Sequence, residues 1–543
     1  MERNVHEEKL RRMEAFKRLI NLGLSFLSLG LVVGIFAYFW FFHFQHSLVE
    51  TLHFYKNGHI LEISIYAVVL FAFSKMYGGT RLGYLKNSEI IFSQIFATAI
   101  ADVFIYGELS LMAFQLFYSG FFFWMFAIQA VTLIIYTSIA NKLYRMMFPP
   151  RKLLLLHGER DTEAICSKFE SRKDKYRITR KEKVSPDMQY NYKVISESYQ
   201  SGECNAVVIW DVSTEDRNKL LKFCYAKSIR VYIMPKITDV IMTGAEELHV
   251  FDSPLLLTRE YSLTMEQRFL KRLMDVVCAL ILLILTSPIM LITAILIKLY
   301  DGGPVLYKQV RCTIGQKEFQ ILKFRSMRTD AEKDGKARLA AKNDDRITPV
   351  GRVIRACRID ELPQLINILK GDMSFIGPRP ERPDIIAQYL EVMPEFVYRM
   401  KVKAGLAGFA QVYGKYNTTP YDKLKLDLTY IENYSVWLDV KLMMLTLKVL
   451  FLPDSTEGVD AEQITALREE KFGKQARENE RMPEDEEAAE GENMQAPENG
   501  EPAEGEAAQE AENGEPAEGE AVQEPEGREV QKPDESGEGD GQE

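Results

Sequence analysis

No histidine occurs after His249. Any acid, base or nucleophile working in residues 260–450 must therefore be a carboxylate, lysine, tyrosine or cysteine. The six cysteines, Cys166, Cys204, Cys224, Cys278, Cys312 and Cys357, include no C-x-x-C pair and no His–Cys spacing typical of zinc. That pattern speaks against a thiolate metal site and reads as reduced, mostly buried thiols in a cytoplasmic setting. A glycine-rich phosphate loop is also missing. After the strand-like run Lys152–Leu156 the chain continues His157-Gly158-Glu159-Arg160 rather than G-x-G-x-x-G, so dinucleotide binding is not expected there. The first apolar run is too long for a signal peptide and has no small-residue cleavage site.

What is present is unevenly spread. At 543 residues the chain is too long for one ordinary domain. Residues 481–543 hold 23 acidic and 3 basic side chains, a net −20, so residues 1–480 carry +10 although the whole chain is at −10. A basic body with an acidic tail suits a membrane surface or phosphate-rich ligands. The decapeptide Glu-Asn-Gly-Glu-Pro-Ala-Glu-Gly-Glu-Ala stands at 498–507 and again at 512–521. Such sequence buries too little apolar surface to fold, and 475–543 reads as a disordered, self-repelling tail.

Apolar runs near 19–42, 59–77, 90–115 and 119–140 each have roughly the twenty residues needed to cross a bilayer, which makes 1–145 a four-helix transmembrane domain. Lys and Arg cluster before the first run, at Arg81 and Lys86, and from Lys142 to Lys152, whereas 43–58 has only Lys56. By the positive-inside rule the N-terminus and the segment after 143 begin in the cytoplasm. Asp102 lies inside the third run, where pairing across a helix interface is the expected role. A fifth apolar stretch, Val276–Ile297, carries Ser287-Pro288 at its centre, with Lys271 and Arg272 before it and Lys298 after it. Proline removes a backbone donor, so the expectation is a helix that breaks at Ser287-Pro288, dips into one leaflet and returns, spanning 268–299, with a kinked helix that crosses the bilayer as the competing reading.

Between 150 and 258, runs at 152–156, 206–210 and 230–234 alternate with a polar helix-like stretch and a helix near 214–226. Such alternation implies a parallel sheet, a degenerate Rossmann-like α/β domain with a regulatory or assembly role.

Asp360 and Glu361 are adjacent in Arg358-Ile359-Asp360-Glu361-Leu362-Pro363-Gln364, ahead of Gly377-Pro378-Arg379-Pro380. Adjacent carboxylates repel, so a metal, a basic cluster or a proton must hold one of them, unless both simply face water at a helix start. Arg352, Arg355, Arg358, Arg379 and Arg382 lie close in sequence, as does Lys323-Phe324-Arg325-Ser326-Met327 upstream. That many guanidinium groups beside carboxylates suit a polyanion such as a nucleoside diphosphate.

Lys271-Arg272-Leu273-Met274-Asp275, Ser287-Pro288, Gly303-Pro304-Val305-Leu306-Tyr307-Lys308-Gln309, Lys323–Met327, Asp360–Asn367 and Lys370–Pro380 together resemble the bacterial sugar transferases, the monotopic polyprenyl-phosphate phosphoglycosyl transferases. The added four-helix bundle and α/β domain resemble that family's large, WbaP-like architecture. The resemblance implies a monotopic α/β catalytic domain at 265–455 with a re-entrant membrane helix. It further implies transfer of a sugar 1-phosphate from a UDP-sugar to undecaprenyl phosphate with release of UMP, starting exopolysaccharide or capsule assembly. By the same resemblance Asp360 is the nucleophile that forms a covalent phosphosugar intermediate. Glu361 assists, Mg²⁺ sits at Asp360 and Glu361, and Lys323, Arg325, Arg355, Arg379 and Gln364 contact substrate. For Arg325, anchoring to lipid headgroups is an equal alternative. The implied setting is the bacterial cytoplasmic membrane, multi-pass, with the catalytic unit on the cytoplasmic face. A homodimer is possible, and no nucleic-acid partner is expected. Lys403-Ala404-Gly405-Leu406-Ala407-Gly408 departs from the family's usual Lys-Pro-Gly-Ile/Leu-Thr-Gly. The alternative function is a membrane-tethered regulatory scaffold with an inactive transferase unit; a transporter has only Asp102 in its favour.

Overall fold

A computed structural model describes residues 2–45, 56–116, 120–250, 253–258, 263–328, 346–414 and 418–450. The acidic tail expected at 475–543, its two decapeptides and the end of the unit expected to reach 455 lie outside the described residues.

The four N-terminal apolar runs are helices. α1 (Glu2–Phe39) continues into a π-helical turn at Trp40–Phe44, followed by α2 (Lys56–Tyr77), α3 (Asn87–Met112) and α4 (Gly120–Met147). Phe36, Trp40, Tyr66, Ile105 and Leu133 share one apolar core among them. Asp102 pairs across helices as expected: Tyr66 Oη donates to Asp102 Oδ1 at 2.8 Å, and Gln129 Nε2 donates to Tyr66 Oη at 3.0 Å.

Next comes a parallel sheet of order β2-β1-β3-β4, built from β1 (Arg151–His157), α5 (Glu163–Glu170), β2 (Tyr176–Lys183), α6 (Met188–Gln200), β3 (Ala206–Trp210), α7 (Thr214–Ala226) and β4 (Arg230–Ile233). The stretch read as one polar helix between the first two strands is in fact helix, strand, helix. β2 escapes notice because it is an edge strand, Tyr-Arg-Ile-Thr-Arg-Lys-Glu-Lys, whose charges sit where solvent covers them. The order reverses between β1 and β3, the topological switch point at which α/β sheets commonly bind ligands. Here Asp211 bridges the gap: its Oδ2 accepts from Arg160 N at 3.1 Å and its Oδ1 lies 3.1 Å from Arg160 Nε. A Cβ at Gly158 would collide with the Asp211 carbonyl, so glycine permits this close approach. α8 (Ile237–Met242) and a hairpin of β5 (Glu246–Val250) and β6 (Ser253–Leu257) lead onward.

The fifth apolar stretch forms α9 (Met265–Asp301), one uninterrupted helix with Pro288 inside it. The expected break at Ser287-Pro288 is thus not an interruption of helical backbone. Proline at 288 frees the carbonyl of Ile284, and Ser287 Oγ donates to that same oxygen at 2.8 Å, so the lost bond is replaced locally. The described residues contain five helices long and apolar enough to cross a membrane, α9 among them.

Both ends of α9 bind the same C-terminal unit. Near its start Lys271 Nζ donates to Asp439 Oδ2 at 2.6 Å and to the Ile376 carbonyl at 2.9 Å, while Asp275 accepts from Phe375 N at 2.9 Å. Arg272 donates to the carbonyls of Ile368 and Leu369. Near its end Ile297 packs with Phe324 and Ile354, and Asp301 pairs with Arg325. Leu280, Ile281, Ile284, Leu285, Ile289 and Ile292 between them are exposed.

That unit consists of an antiparallel hairpin of β7 (Leu306–Cys312) and β8 (Glu318–Phe324), then α10 (Pro349–Ala356), α11 (Gln364–Lys370), β9 (Ser374–Ile376), α12 (Pro383–Val392), β10 (Gly405–Ala407), α13 (Phe409–Tyr413), α14 (Pro420–Glu432) and α15 (Val436–Leu450). It touches the bundle through Leu445 against Tyr77 and Ala97, and through Lys448 Nζ, which donates to Ser93 Oγ at 2.7 Å. It touches the α/β region through the Lys168–Asp422 pair at 3.0 Å.

Candidate active site

The dyad occupies a tight 3-10 turn, Ile359–Glu361, between α10 and α11. Arg358 enters that turn with φ of 57°, a left-handed conformation unfavourable for a side chain by about 1–2 kcal/mol. Strain of this kind collects at functional sites. α11 is fixed to the hairpin by Asn367, whose Oδ1 accepts from Leu322 N at 3.0 Å and whose Nδ2 donates to the Gln320 carbonyl at 2.8 Å. The side chain replaces a strand neighbour, and this sets the dyad against Lys323, the next residue of β8.

Glu361 collects the cations. Lys323 Nζ and Arg379 Nη2 each donate to its Oε1 at 3.2 Å, and Arg358 Nη1 lies 3.7 Å from its Oε2. Its side chain is only 13 % exposed. Burial alone would raise its pKa, but Lys323, Arg379 and Arg358 together hold it well below the usual carboxylate range. Asp360 moves the other way: burial first, then the Glu361 charge, push it up, against the pull of Lys323, Arg355 and Arg358. Burial lowers Lys323, with Glu361 opposing, and the Glu361 charge raises Arg379. One carboxylate is thus saturated. Its neighbour keeps a buried oxygen, Asp360 Oδ1, with no hydrogen-bond partner.

Arg379 is presented by a clamped turn. Gly377 N donates to the Ala407 carbonyl and Gly405 N to the Pro378 carbonyl, both at 2.9 Å. Arg399 Nη2 donates to the Arg379 carbonyl at 3.1 Å and Arg311 Nη1 to the Pro380 carbonyl at 3.2 Å. Arg399 is itself held by Asp427 at 2.8 Å. Ala404 and Ala407, where the sequence departs from the family pattern, are buried beside this turn.

Of the residues singled out in the sequence, Lys323, Arg379, Asp360 and Glu361 meet in one cluster, and Arg355 acts on Asp360 electrostatically. Gln364 is buried at the start of α11. Arg325 turns instead to Asp301 at the end of α9, and Ser287 and Pro288 lie within that helix. Sequence reasoning left out Arg358 as a direct partner of Glu361, and Arg311, Arg399 and Asn367 as supports. Only Arg358 carried a local signal, its place three residues before Glu361.

The bacterial sugar transferase family matches residues 266–453, the span that holds every residue of this cluster. A UDP-glucose:undecaprenyl-phosphate glucose-1-phosphate transferase of Caulobacter vibrioides is 40% identical over 190 residues, 34% of this chain and 71% of that protein. This chain belongs to the bacterial sugar transferase family. A UDP-N-acetylgalactosamine-undecaprenyl-phosphate N-acetylgalactosaminephosphotransferase of Aeromonas hydrophila is 40% identical over 238 residues, 43% of this chain and 55% of that protein. An undecaprenyl-phosphate galactose phosphotransferase of Salmonella typhimurium is 32% identical over 284 residues, 46% of this chain and 58% of that protein. The chain thus spans little more than half the length of these last two relatives.

Among the described residues of this family member, no group of three His, Cys, Asp or Glu is placed to enclose a metal. The dyad still fits a hard divalent ion, because Asp360 Oδ1 is an unpartnered carboxylate oxygen. Mg²⁺ characteristically binds one or two carboxylates, keeps several waters and takes further oxygens from substrate phosphates.

Proposed function

We propose that this protein transfers a sugar 1-phosphate from a UDP-sugar to undecaprenyl phosphate, the first step of a surface-polysaccharide assembly. One observation carries the reading: a carboxylate oxygen left free, Asp360 Oδ1, beside a carboxylate that gathers Lys323, Arg379 and Arg358. A cationic field of this kind is what an anionic nucleophile needs to approach a diphosphate. Asp360 attacks the β-phosphorus, the bond to the bridging oxygen breaks, and UMP leaves with the electron pair. An oxygen of undecaprenyl phosphate then attacks the same phosphorus, the aspartyl bond breaks, and Asp360 is restored. Lys323, Arg355 and Arg379 hold the phosphate oxygens, Gln364 lines the site, and Glu361 fixes the cations in place. Asp360, with Glu361 beside it, would hold Mg²⁺, which supplies neutralisation of diphosphate charge when bound.

The raised pKa of Asp360 fits a stronger nucleophile once ionised, and the lowered one of Glu361 keeps Glu361 itself charged among its cations. For α9 the reading is a re-entrant helix. If straight, its 37 residues would reach about 55 Å, well beyond a hydrocarbon core of about 30 Å. A spanning helix would put its two ends on opposite faces, yet Lys271 and Asp301 both bind one unit that carries the reactive dyad. Entry and return through the cytoplasmic leaflet, with the helix bending at Pro288 rather than ending there, suits those contacts and leaves the apolar middle for lipid. The α/β region is then a degenerate Rossmann-like spacer. The test is UMP release by nanodisc-held protein with undecaprenyl phosphate, Mg²⁺ and a panel of UDP-sugars. The reading requires release with at least one sugar, and silence across the panel from folded protein refutes it.

A further inference from the structure

Among the described residues, Arg325 is the cation of the family motifs whose guanidinium is buried but incompletely used. It is 8% exposed and pairs with Asp301, yet its Nη1 has no hydrogen-bond partner. A buried donor left unmade costs about 1–3 kcal/mol, more when charged, so such a group calls for an acceptor. Its position tells which kind. Arg325 N donates to the Val305 carbonyl at 2.9 Å, extending the β8 ladder by one step. Lys323 and Arg325, two residues apart in an extended chain, therefore share a face at a spacing of about 7 Å. Lys323 reaches the dyad, whereas Arg325 reaches the last residue of the apolar helix. Leu296, Leu299 and Tyr300, just before Asp301, are exposed, and a tyrosine there marks the level of lipid headgroups. Arg325 thus links the strand whose Lys323 reaches the dyad to the end of the apolar helix. Gly303 makes room for the guanidinium itself, since a Cβ at that residue would fall inside van der Waals contact of Arg325 Nη1.

Resting on the transferase reading above, we propose that Arg325, oriented by Asp301 and backed by Gly303, binds the phosphate of the membrane-borne acceptor. The donor diphosphate is served by Lys323 and Arg379, so two phosphate sites lie side by side along β8. The shared chemistry with a phospholipid headgroup is a lipid-linked phosphate, and the experiment separates the two sources.

Equilibrium binding of undecaprenyl phosphate is measured for the full chain in phosphatidylcholine nanodiscs, with and without phosphatidylglycerol, alongside KM for each substrate. Arg325→Lys keeps a charge for Asp301 but removes the second nitrogen, and Gly303→Ala displaces the guanidinium with no change of charge. Both variants are expected to bind undecaprenyl phosphate about tenfold more weakly and to raise its KM alike, with KM for the UDP-sugar within about twofold. Phosphatidylglycerol should leave the difference unchanged. The assignment is overturned if acceptor affinity is unaltered, if KM for the UDP-sugar rises equally, or if the variants lose only attachment to phosphatidylglycerol. A parent that binds undecaprenyl phosphate through Arg325 but releases no UMP would refute the transferase reading instead.

Discussion

Two places in this molecule set a carboxylate among cations at the end of a strand or turn, and they differ in how the charges close. At the switch point of the parallel sheet, Asp211 and Arg160 satisfy one another through two contacts of 3.1 Å. At the dyad, Glu361 takes Lys323, Arg379 and Arg358, while Asp360 keeps an oxygen without partner. The first is a closed pair that holds two loops together. The second holds more positive charge than its own carboxylates need, with a buried, unpartnered Asp360 oxygen beside that excess. In the proposed mechanism, reactivity follows from the imbalance rather than from the presence of charge.

The largest effect that would sharpen this contrast is on Asp360. Asp360→Asn should abolish UMP release, whereas Asp211→Asn should leave turnover within about twofold and cost at most about 1 kcal/mol of stability in a denaturation curve. Next comes the cation excess. Arg379→Ala should lower kcat/KM for the UDP-sugar by about 10²–10³-fold, roughly 3–4 kcal/mol, since it removes charge stabilisation near the transferring phosphoryl group. Arg160→Ala, at the closed pair, should not change it measurably in the same assay.

A smaller effect concerns pH. In the proposed mechanism Asp360 must be ionised to attack, and its pKa is raised by burial and by Glu361. The UDP-sugar rate should therefore fall as pH drops through a midpoint above the ordinary aspartate value of about 3.9. In Lys323→Met that midpoint should rise further, because a charge that favours ionised Asp360 is gone. A pH–rate profile with its acid limb at or below the ordinary value would remove the basis for distinguishing the two carboxylates. Outside both sites, Lys271→Met would leave Asp439 buried without its cation and should cost about 3–5 kcal/mol in thermal or denaturant unfolding.

The same contrast explains what the sequence made legible. Long apolar runs announce membrane-length helices because hydropathy acts over twenty residues, and all four N-terminal runs and α9 were placed from it. Adjacent Asp360 and Glu361 drew notice because like charges side by side demand a reason. The strand at Tyr176–Lys183 did not, since a charged edge strand has no apolar face to betray it. Helical backbone runs through Pro288, where Ser287 Oγ donates to the Ile284 carbonyl that the proline leaves free, a local contact that hydropathy does not reveal. Arg311, Arg399 and Asn367 support the site from distant segments through backbone carbonyls and amides, and contacts of that sort leave no periodicity to read. Arg325 was legible in part: its motif grouped it with Lys323, and the structure adds Asp301 as its partner.

The most direct test of the central claim is intact and peptide mass spectrometry after mixing the protein with its UDP-sugar and Mg²⁺ in the absence of undecaprenyl phosphate. A phosphosugar adduct on the peptide containing Asp360, formed with stoichiometric UMP, absent from Asp360→Asn and discharged by added undecaprenyl phosphate, is the predicted result. UMP released only when the acceptor is present, with no adduct trapped at any time point, would contradict it.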